Sequence, residues 1–258
     1  MFGQKRQSAW FFDSSVHLEA VSRLLYLIEV GEPFGVVCGS DGSGRTRTLG
    51  HLREEVERTG KQVVTLNLSG VDEKVALSEL ATSLSSSARR GMPRHELIAL
   101  LRDEFAGRAH CGAQTVVLID DLHRAQSDME SFLRVLTALS SGVPNSEGRG
   151  KLTVIVATDK PLTKGLSLES LLQISLAPLD SAESSDFVRS LIRRSGIPAA
   201  SMDESAVRAI HDLSRGNAAR MARVCELLTV LHEASPETRI SAETISHVMS
   251  ELTPRAVA

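Results

Sequence analysis

Residues 39–46 read GSDGSGRT and carry the residue types of a phosphate-binding loop. Gly42 and Gly44 permit backbone conformations that are closed to other residues, so that successive N–H groups can converge on phosphate oxygens. Thr46 supplies the hydroxyl expected on a Mg²⁺ ion, and a helix beginning near it would add its positive N-terminal end. The spacing matches the pattern G-x-x-x-x-G-K-[ST], except that Arg45 stands where the pattern has lysine. The residues predict a phosphate site with an unusual cation.

Arg45 is not a conservative replacement in a tight loop. The planar guanidinium is bulkier than an ammonium group, and its forked donors need a different approach to phosphate oxygens. The positive charge is kept, so phosphate binding is expected to survive. The rate of catalysis is more sensitive than binding, because a misplacement of the cation by about 1 Å can lower the rate by on the order of a hundredfold. The loop therefore predicts binding more strongly than fast turnover.

A second group of candidate residues follows the apolar run 115–119, which ends in Asp120 and Asp121. A run without polar alternation is typical of a strand that is covered on both faces, as in parallel sheets. Asp120 would then lie at the tip of the sheet near the glycine loop and hold a metal ion through water, and Asp121 would polarise an attacking water. The alternative is that both acids are solvated and cap the next helix.

The elements that must position these residues alternate along the chain. Apolar runs predict strands at 34–38, 62–68, 115–119, 152–157 and 171–176. Helical spacing predicts helices at 16–30, 46–58, 75–84, 95–105 and 129–139. This alternation favours a three-layer α/β domain with a mostly parallel sheet. A loop rich in turn formers is predicted at 140–150.

The pattern changes from residue 181 onward, where only helices are predicted, at 186–194, 203–213, 218–232 and 242–252. The sequence thus predicts two domains, an α/β core over residues 1–180 and a small helical lid over residues 181–258.

Composition sets further limits. The chain has 258 residues, is 42% hydrophobic and 24% charged, and carries a formal net charge of -3, so no global basic field points to nucleic acid. The three scattered cysteines and the absence of a long apolar run predict a cytoplasmic protein without membrane insertion. The aromatic cluster Trp10–Phe11–Phe12 is interpreted as a packed N-terminal anchor. His51, His95, His110 and His123 show no metal-ligand spacing.

Three stretches carry a family resemblance: residues 11–49, residues 116–125 (VVLIDDLHRA) and residues 214–228 (SRGNAARMARVCELL). They resemble the AAA+ ATPases of the ExeA, or general secretion pathway A, type, which are similar to the transposition ATPases of the TniB and MuB type. The resemblance implies an AAA+ P-loop core and a helical lid with an ATP and Mg²⁺ site between them. It also implies a ring or filament that completes the site from a neighbouring subunit. Carried over by position, the phosphate cradle is Gly39, Ser40, Asp41, Gly42, Ser43, Gly44, Arg45, Thr46 and Arg47; the metal residues are Thr46 and Asp120; the catalytic residues are Asp121 and Arg45.

The chain departs from the family pattern beyond Arg45. The second acid is Asp121 where the family has glutamate, which withdraws the carboxylate by one methylene. The lid signature G-[IN]-P-R falls on GNAAR, so that Ala219 occupies the position of a phosphate-sensing arginine. Arg220 lies one position along, turned by about 100° on a helix. Gln173 occupies the place of another family arginine, and Thr158 is interpreted as a polar sensor.

These residues support one principal hypothesis and two alternatives. The first is an ATP-binding protein with slow Mg²⁺-dependent hydrolysis that couples nucleotide state to self-assembly or to a protein partner. The second is a pseudo-ATPase, a scaffold that binds nucleotide without turnover or does not bind it. The third is a DNA-stimulated ATPase of the transposition type, which the near-neutral charge favours least.

Overall fold

The computed structural model describes residues 10–126, 129–141, 152–162, 172–198, 201–235 and 239–252. The strands are β1 (Phe34–Cys38), β2 (Gln62–Asn67), β3 (Thr115–Asp120), β4 (Leu152–Thr158) and β5 (Leu172–Ser175). The helices are α1 (Ser15–Val30), α2 (Arg45–Arg58), α3 (Glu73–Leu84), α4 (Arg94–His110), α5 (Glu130–Ser141), α6 (Ser181–Arg194), α7 (Glu204–Ser214), α8 (Ala218–Ala234) and α9 (Ala242–Leu252). A 3₁₀ turn, Leu122–Arg124, follows β3.

The described strands form a parallel sheet of five strands in the order β2-β3-β4-β1-β5. Every residue of β1, β3 and β4 is buried, as expected for central strands covered on both faces. Phe34, Val36 and Cys38 of β1 join one apolar cluster, whereas Val37 joins the other. Successive side chains of a strand point to opposite faces, so the two clusters are the two helix layers on the sheet.

The two layers have different helices. The first cluster takes buried side chains from α3, α4 and α5, such as Leu77, Leu101 and Phe132. The second takes them from α1 and α2, such as Leu24 and Leu52. The predicted three-layer α/β architecture is therefore what the structure shows.

Two helices, α4 and α6, extend about five residues beyond one predicted end. α6 begins at Ser181 because the side chain of Asp180 accepts a hydrogen bond from the N–H of Glu183 at 2.8 Å, which caps an otherwise polar first turn. α4 continues to His110, and the guanidinium of Arg108 in this extension donates to the carbonyl of Leu84 at 2.7 Å. These polar contacts lie in the added turns, and apolar periodicity does not detect them.

Contacts divide the chain into two compact units, Met1–Ser40 with Arg45–Leu176, and Asp41–Gly44 with Ala177–Ala258. The described part of the second unit contains α6 to α9 and an isolated parallel bridge between Met202 and Ile240. The sequence-based domain boundary at residue 180 stays a prediction.

The N-terminal aromatic segment packs onto the first unit, as its interpretation as an anchor requires. Phe11 stacks face to face on His51 of α2 with ring centroids 4.2 Å apart, and meets His17 of α1 edge-on at 6.1 Å. The predicted loop at 140–150 lies almost entirely outside the described residues. None of the helices in the described ranges is long and apolar enough to span a lipid bilayer.

Candidate functional site

The glycine loop connects β1 to α2 at the carboxyl edge of the sheet, where open α/β sheets commonly bind ligands. Its first residue is tied to the neighbouring strand, because the N–H of Gly39 donates to the carbonyl of Thr158 at 3.2 Å. Gly42 and Gly44 have φ values of 82° and 99°, a region that disfavours any residue with a side chain. The order of strand, glycine loop and helix that the motif requires is thus present.

The middle of the loop is held by the start of α8, with which it shares the second unit. The side-chain amide of Asn217 donates to the carbonyl of Asp41 at 2.7 Å, and the N–H of Ala219 donates to the carbonyl of Gly42 at 3.2 Å. The other end of the Asn217 amide caps α8 by accepting from the N–H of Arg220 at 3.0 Å. Asn217 therefore joins the helix cap to the loop backbone, a contact that the sequence pattern alone did not predict.

The other predicted cradle residues differ in exposure. Ser43 is buried, whereas Ser40, Thr46 and Arg47 are exposed. Thr46 is the second residue of α2, so its hydroxyl lies in the first turn of the helix, as the motif requires.

Arg45 is the first residue of α2 and is 6% exposed, which is rare for a charged side chain unless it is paired. Its Nη1 donates to the carbonyl of Gly39, at the other end of the loop. Its Nη2 lies 3.3 Å from Nε2 of His123 and 4.0 Å from Oδ1 of Asp121. The guanidinium thus joins the loop to the residues that follow β3.

Asp120 and Asp121 take different environments although they are adjacent. Asp120 ends β3, is 4% exposed, and its Oδ1 accepts from the N–H of Asp121 at 2.9 Å. Asp121 is left-handed, with φ 54° and ψ 37°, a conformation that costs most residues about 1–2 kcal/mol and that aspartate tolerates better. Such strain is often found at functional positions.

The carboxylate of Asp121 does not cap the 3₁₀ turn that follows it. Its Oδ2 accepts from the side-chain amide of Asn67 at 3.3 Å, and its Oδ1 lies 4.0 Å from both Arg45 and Arg124. The reading of this acid as a simple helix cap is therefore wrong. Asn67 was missed by sequence reasoning, although a polar residue ending the strand that pairs with β3 was a usable signal.

The positive charge of Arg45 also acts on the end of β1. Burial raises the pKa of the Cys38 thiol and Asp159 adds to the rise, while the Arg45 guanidinium opposes it. Burial is the largest of these effects, so the pKa of Cys38 lies above the ordinary thiol value and the neutral thiol is favoured.

The predicted sensor positions have structural contacts of their own. Thr158 ends β4, is buried, and supplies the carbonyl that holds Gly39. Gln173 pairs with the backbone of Leu162, accepting from its N–H at 3.1 Å. Ala219 and Arg220 are both exposed in the first turn of α8.

The residue types at this site could hold Mg²⁺ together with a phosphate-bearing ligand. No group of three or more His, Cys, Asp or Glu side chains in the described ranges is placed to hold a metal ion. Mg²⁺ typically takes one or two carboxylates or hydroxyls from the protein and its other ligands from phosphates and water. The buried Asp120 and the exposed Thr46 match that demand.

Comparison with known proteins identifies the family. A family model described as AAA domain matches residues 28–166, more than half of the 258-residue chain, and the protein belongs to that family. No curated protein matches the sequence significantly.

Solved structures share the fold at low sequence identity. Cdc6p from Pyrobaculum aerophilum aligns with 96% of this chain and 69% of its own, with a TM-score of 0.70 and 17% identity. The ORC2 protein of Aeropyrum pernix, in ADPNP-ADP complexes, aligns with 100% and 74%, with a TM-score of 0.69 and 14% identity. Drosophila ORC bound to DNA aligns with 98% and 70%, with a TM-score of 0.69 and 15% identity. The predicted α/β P-loop fold of the AAA+ class is confirmed, and kinship with the ExeA or TniB type stays a prediction.

Proposed function

We propose that the protein binds ATP with Mg²⁺, hydrolyses it slowly, and uses the nucleotide state to control assembly with itself or with a protein partner. The observation that carries this proposal is the loop in which two left-handed glycines, Gly42 and Gly44, lead directly into the N-terminus of α2. Such a loop directs backbone N–H groups and a helix dipole at an anion. Membership of the AAA domain family and the ADPNP-ADP complexes named for the A. pernix relative support ATP as the ligand.

Each predicted site residue has a role in this proposal. Residues 39–47 would cradle the phosphates, and Arg45 would contribute a fixed positive charge. Thr46 and Asp120 would hold Mg²⁺, which when bound neutralises charge on phosphate oxygens. Asp121 would orient the attacking water. Residues 1–180 would form the core, and residues 181–258 the lid.

Slow turnover is proposed from the contacts of Arg45 and Asp121. The guanidinium is engaged by the Gly39 carbonyl and by His123, so it follows developing charge less freely than a lysine ammonium. The Asp121 carboxylate reaches one methylene less far than glutamate and already accepts a hydrogen bond from Asn67. Both features act against rate more than against affinity.

Two alternatives keep specific support. The same engagement of Arg45 and Asp121 favours a pseudo-ATPase that binds nucleotide as a switch without turnover. The likeness to Drosophila ORC bound to DNA favours a DNA-stimulated ATPase. Stimulation of phosphate release by duplex DNA, falling steeply with salt, would support the second alternative.

Binding of Mg-ATP is expected to stabilise the protein against heat. A ligand at 100 times its dissociation constant adds about 2.7 kcal/mol, which raises the Tm of a chain of this size by roughly 5–10 °C. Differential scanning fluorimetry with millimolar Mg-ATP measures the shift, with Mg²⁺ alone as the control. An unchanged Tm would leave the protein as an interaction module without a nucleotide.

Replacing Arg45 by lysine is expected to raise the rate of phosphate release by about tenfold or more, because the compact ammonium follows charge on the transferred group. The Kd for Mg-ATP is expected to change by less than about threefold, since the charge is kept. Turnover and isothermal titration, measured side by side on wild type and Arg45→Lys, check both numbers. A fall in the rate of phosphate release would show that arginine supports turnover better than lysine at this position, against the proposal.

A further inference from the structure

His123 contacts Arg45, the residue in which this loop departs from the phosphate-loop pattern. Its Nε2 lies 3.3 Å from Nη2 of Arg45. A guanidinium has only donors, so the imidazole nitrogen in this contact accepts. In this contact Nε2 carries no proton, and the ring proton lies on Nδ1.

The contact suits an arginine and not a lysine. The guanidinium is a rigid planar fork, and two of its ends meet two different acceptors, with Nη1 on the Gly39 carbonyl and Nη2 on His123. Two contacts at separate ends of a planar group fix the plane as well as the position. A lysine has a single terminal nitrogen on a flexible stem, and it gains no such orientation from a second acceptor.

The backbone that carries His123 is held firmly. The 3₁₀ turn Leu122–Arg124 closes with a bond from the N–H of Arg124 to the carbonyl of Asp121 at 2.9 Å. The carbonyl of Arg124 accepts from the N–H of Gly70 at 2.8 Å. Because its backbone is held on both sides, the His123 side chain can restrict the position of the neighbouring Arg45 side chain.

We propose that His123 is a positioning residue that adapts the phosphate loop to arginine. It holds the Arg45 guanidinium beside the Gly39 carbonyl and keeps it from closing onto the Asp121 carboxylate, only 4.0 Å away. The guanidinium thereby stays available to the phosphates of a nucleoside triphosphate. This role rests on the proposed nucleotide binding and explains how the site tolerates the exchange of lysine for arginine.

The test is a double-mutant cycle on residues 45 and 123, with the Kd for Mg-ATP as the readout. His123→Ala is expected to weaken binding by about tenfold when residue 45 is arginine and by less than about twofold in the Arg45→Lys background. His123→Gln, which restores an acceptor oxygen, is expected to recover most of the affinity, whereas His123→Leu is not. The Tm of each variant without nucleotide controls for folding.

A second readout needs no nucleotide. The ¹⁵N chemical shifts of the His123 imidazole are expected to report the Nδ1–H tautomer in the wild type and a different tautomer balance in Arg45→Lys. Absence of Mg-ATP binding by the wild type would refute the proposed function and this role with it. Binding by the wild type, with equal affinities for His123→Ala or equal losses in both backgrounds, would refute the role of His123 alone. An Nε2–H tautomer in the wild type would also refute it.

Discussion

Alanine at position 42 is expected to abolish useful nucleotide binding. A Cβ on Gly42 would lie 2.5 Å from Oδ1 of Asn217 and 2.8 Å from Cβ of Ala219, at a φ of 82°. The left-handed conformation alone costs alanine about 1–2 kcal/mol, and the overlaps force the loop backbone to move. Misdirecting two N–H groups that bind charged oxygens, each worth about 1.5–3 kcal/mol, raises the Kd at least about a hundredfold.

A matched control for this change is Gly50→Ala. Gly50 lies within α2, and a Cβ there would meet nothing within 4 Å. Alanine in a helix interior is favoured over glycine by about 0.5–1 kcal/mol, so this variant is expected to bind Mg-ATP normally with a slightly higher Tm. Titration calorimetry and thermal denaturation on both variants make the comparison. Normal affinity in Gly42→Ala would show that the loop backbone does not hold the phosphates.

Replacing Asp120 by asparagine is expected to reduce Mg²⁺-dependent phosphate release at least about a hundredfold, to background. An amide oxygen can still accept from the N–H of Asp121, so the local geometry survives and the charge that attracts Mg²⁺ is lost. A metal ion contributes several kcal/mol of charge stabilisation to phosphoryl transfer, which is the source of the large effect. The variant without nucleotide is expected to keep or raise its Tm, because a neutral amide is easier to bury than a carboxylate.

The matched control for this charge is Asp103→Asn, an exposed carboxylate on α4. It is expected to leave phosphate release and Tm within error of the wild type. The measurement is phosphate release against Mg²⁺ concentration for the three proteins. Equal background rates in the wild type and in Asp120→Asn would remove the hydrolysis proposal and leave the pseudo-ATPase.

The tertiary contacts explain what three of the departures from the family pattern do in the folded protein. Arg45 lies 78 positions from His123, and Asp121 lies 54 positions from Asn67. Because Arg45 and Asp121 also lie 4.0 Å apart, the four side chains form one group. Ala219 contributes through its backbone, because its N–H donates to the carbonyl of Gly42. The three residues thus belong to two local arrangements, one around Arg45 and Asp121 and the other between Gly42 and the start of α8.

The sequence by itself determined the elements and the candidate acids. Each predicted strand agrees with the structure to within one residue at either end, and residue 171 alone of these lies outside the described ranges. Strand and helix periodicity is a local property, because the spacing of apolar residues close in sequence encodes whether one face or both faces are buried. The glycine loop is predictable for the same reason, because the positive φ of Gly42 and Gly44 requires a particular residue type at each single position.

Only the tertiary structure decided which distant residues meet. The pairing of β2 with β3 places Asn67 opposite Asp120. Within the second unit, Asn217 contacts Asp41 from 176 positions away in sequence. The partner of Arg45 was hidden in the same way, because a lone histidine carries no spacing signal until the sheet places it. Side-chain pairing depends on contacts between segments far apart in sequence, and local sequence patterns do not predict such contacts. The contact between Arg45 and His123 therefore exists only in the folded chain.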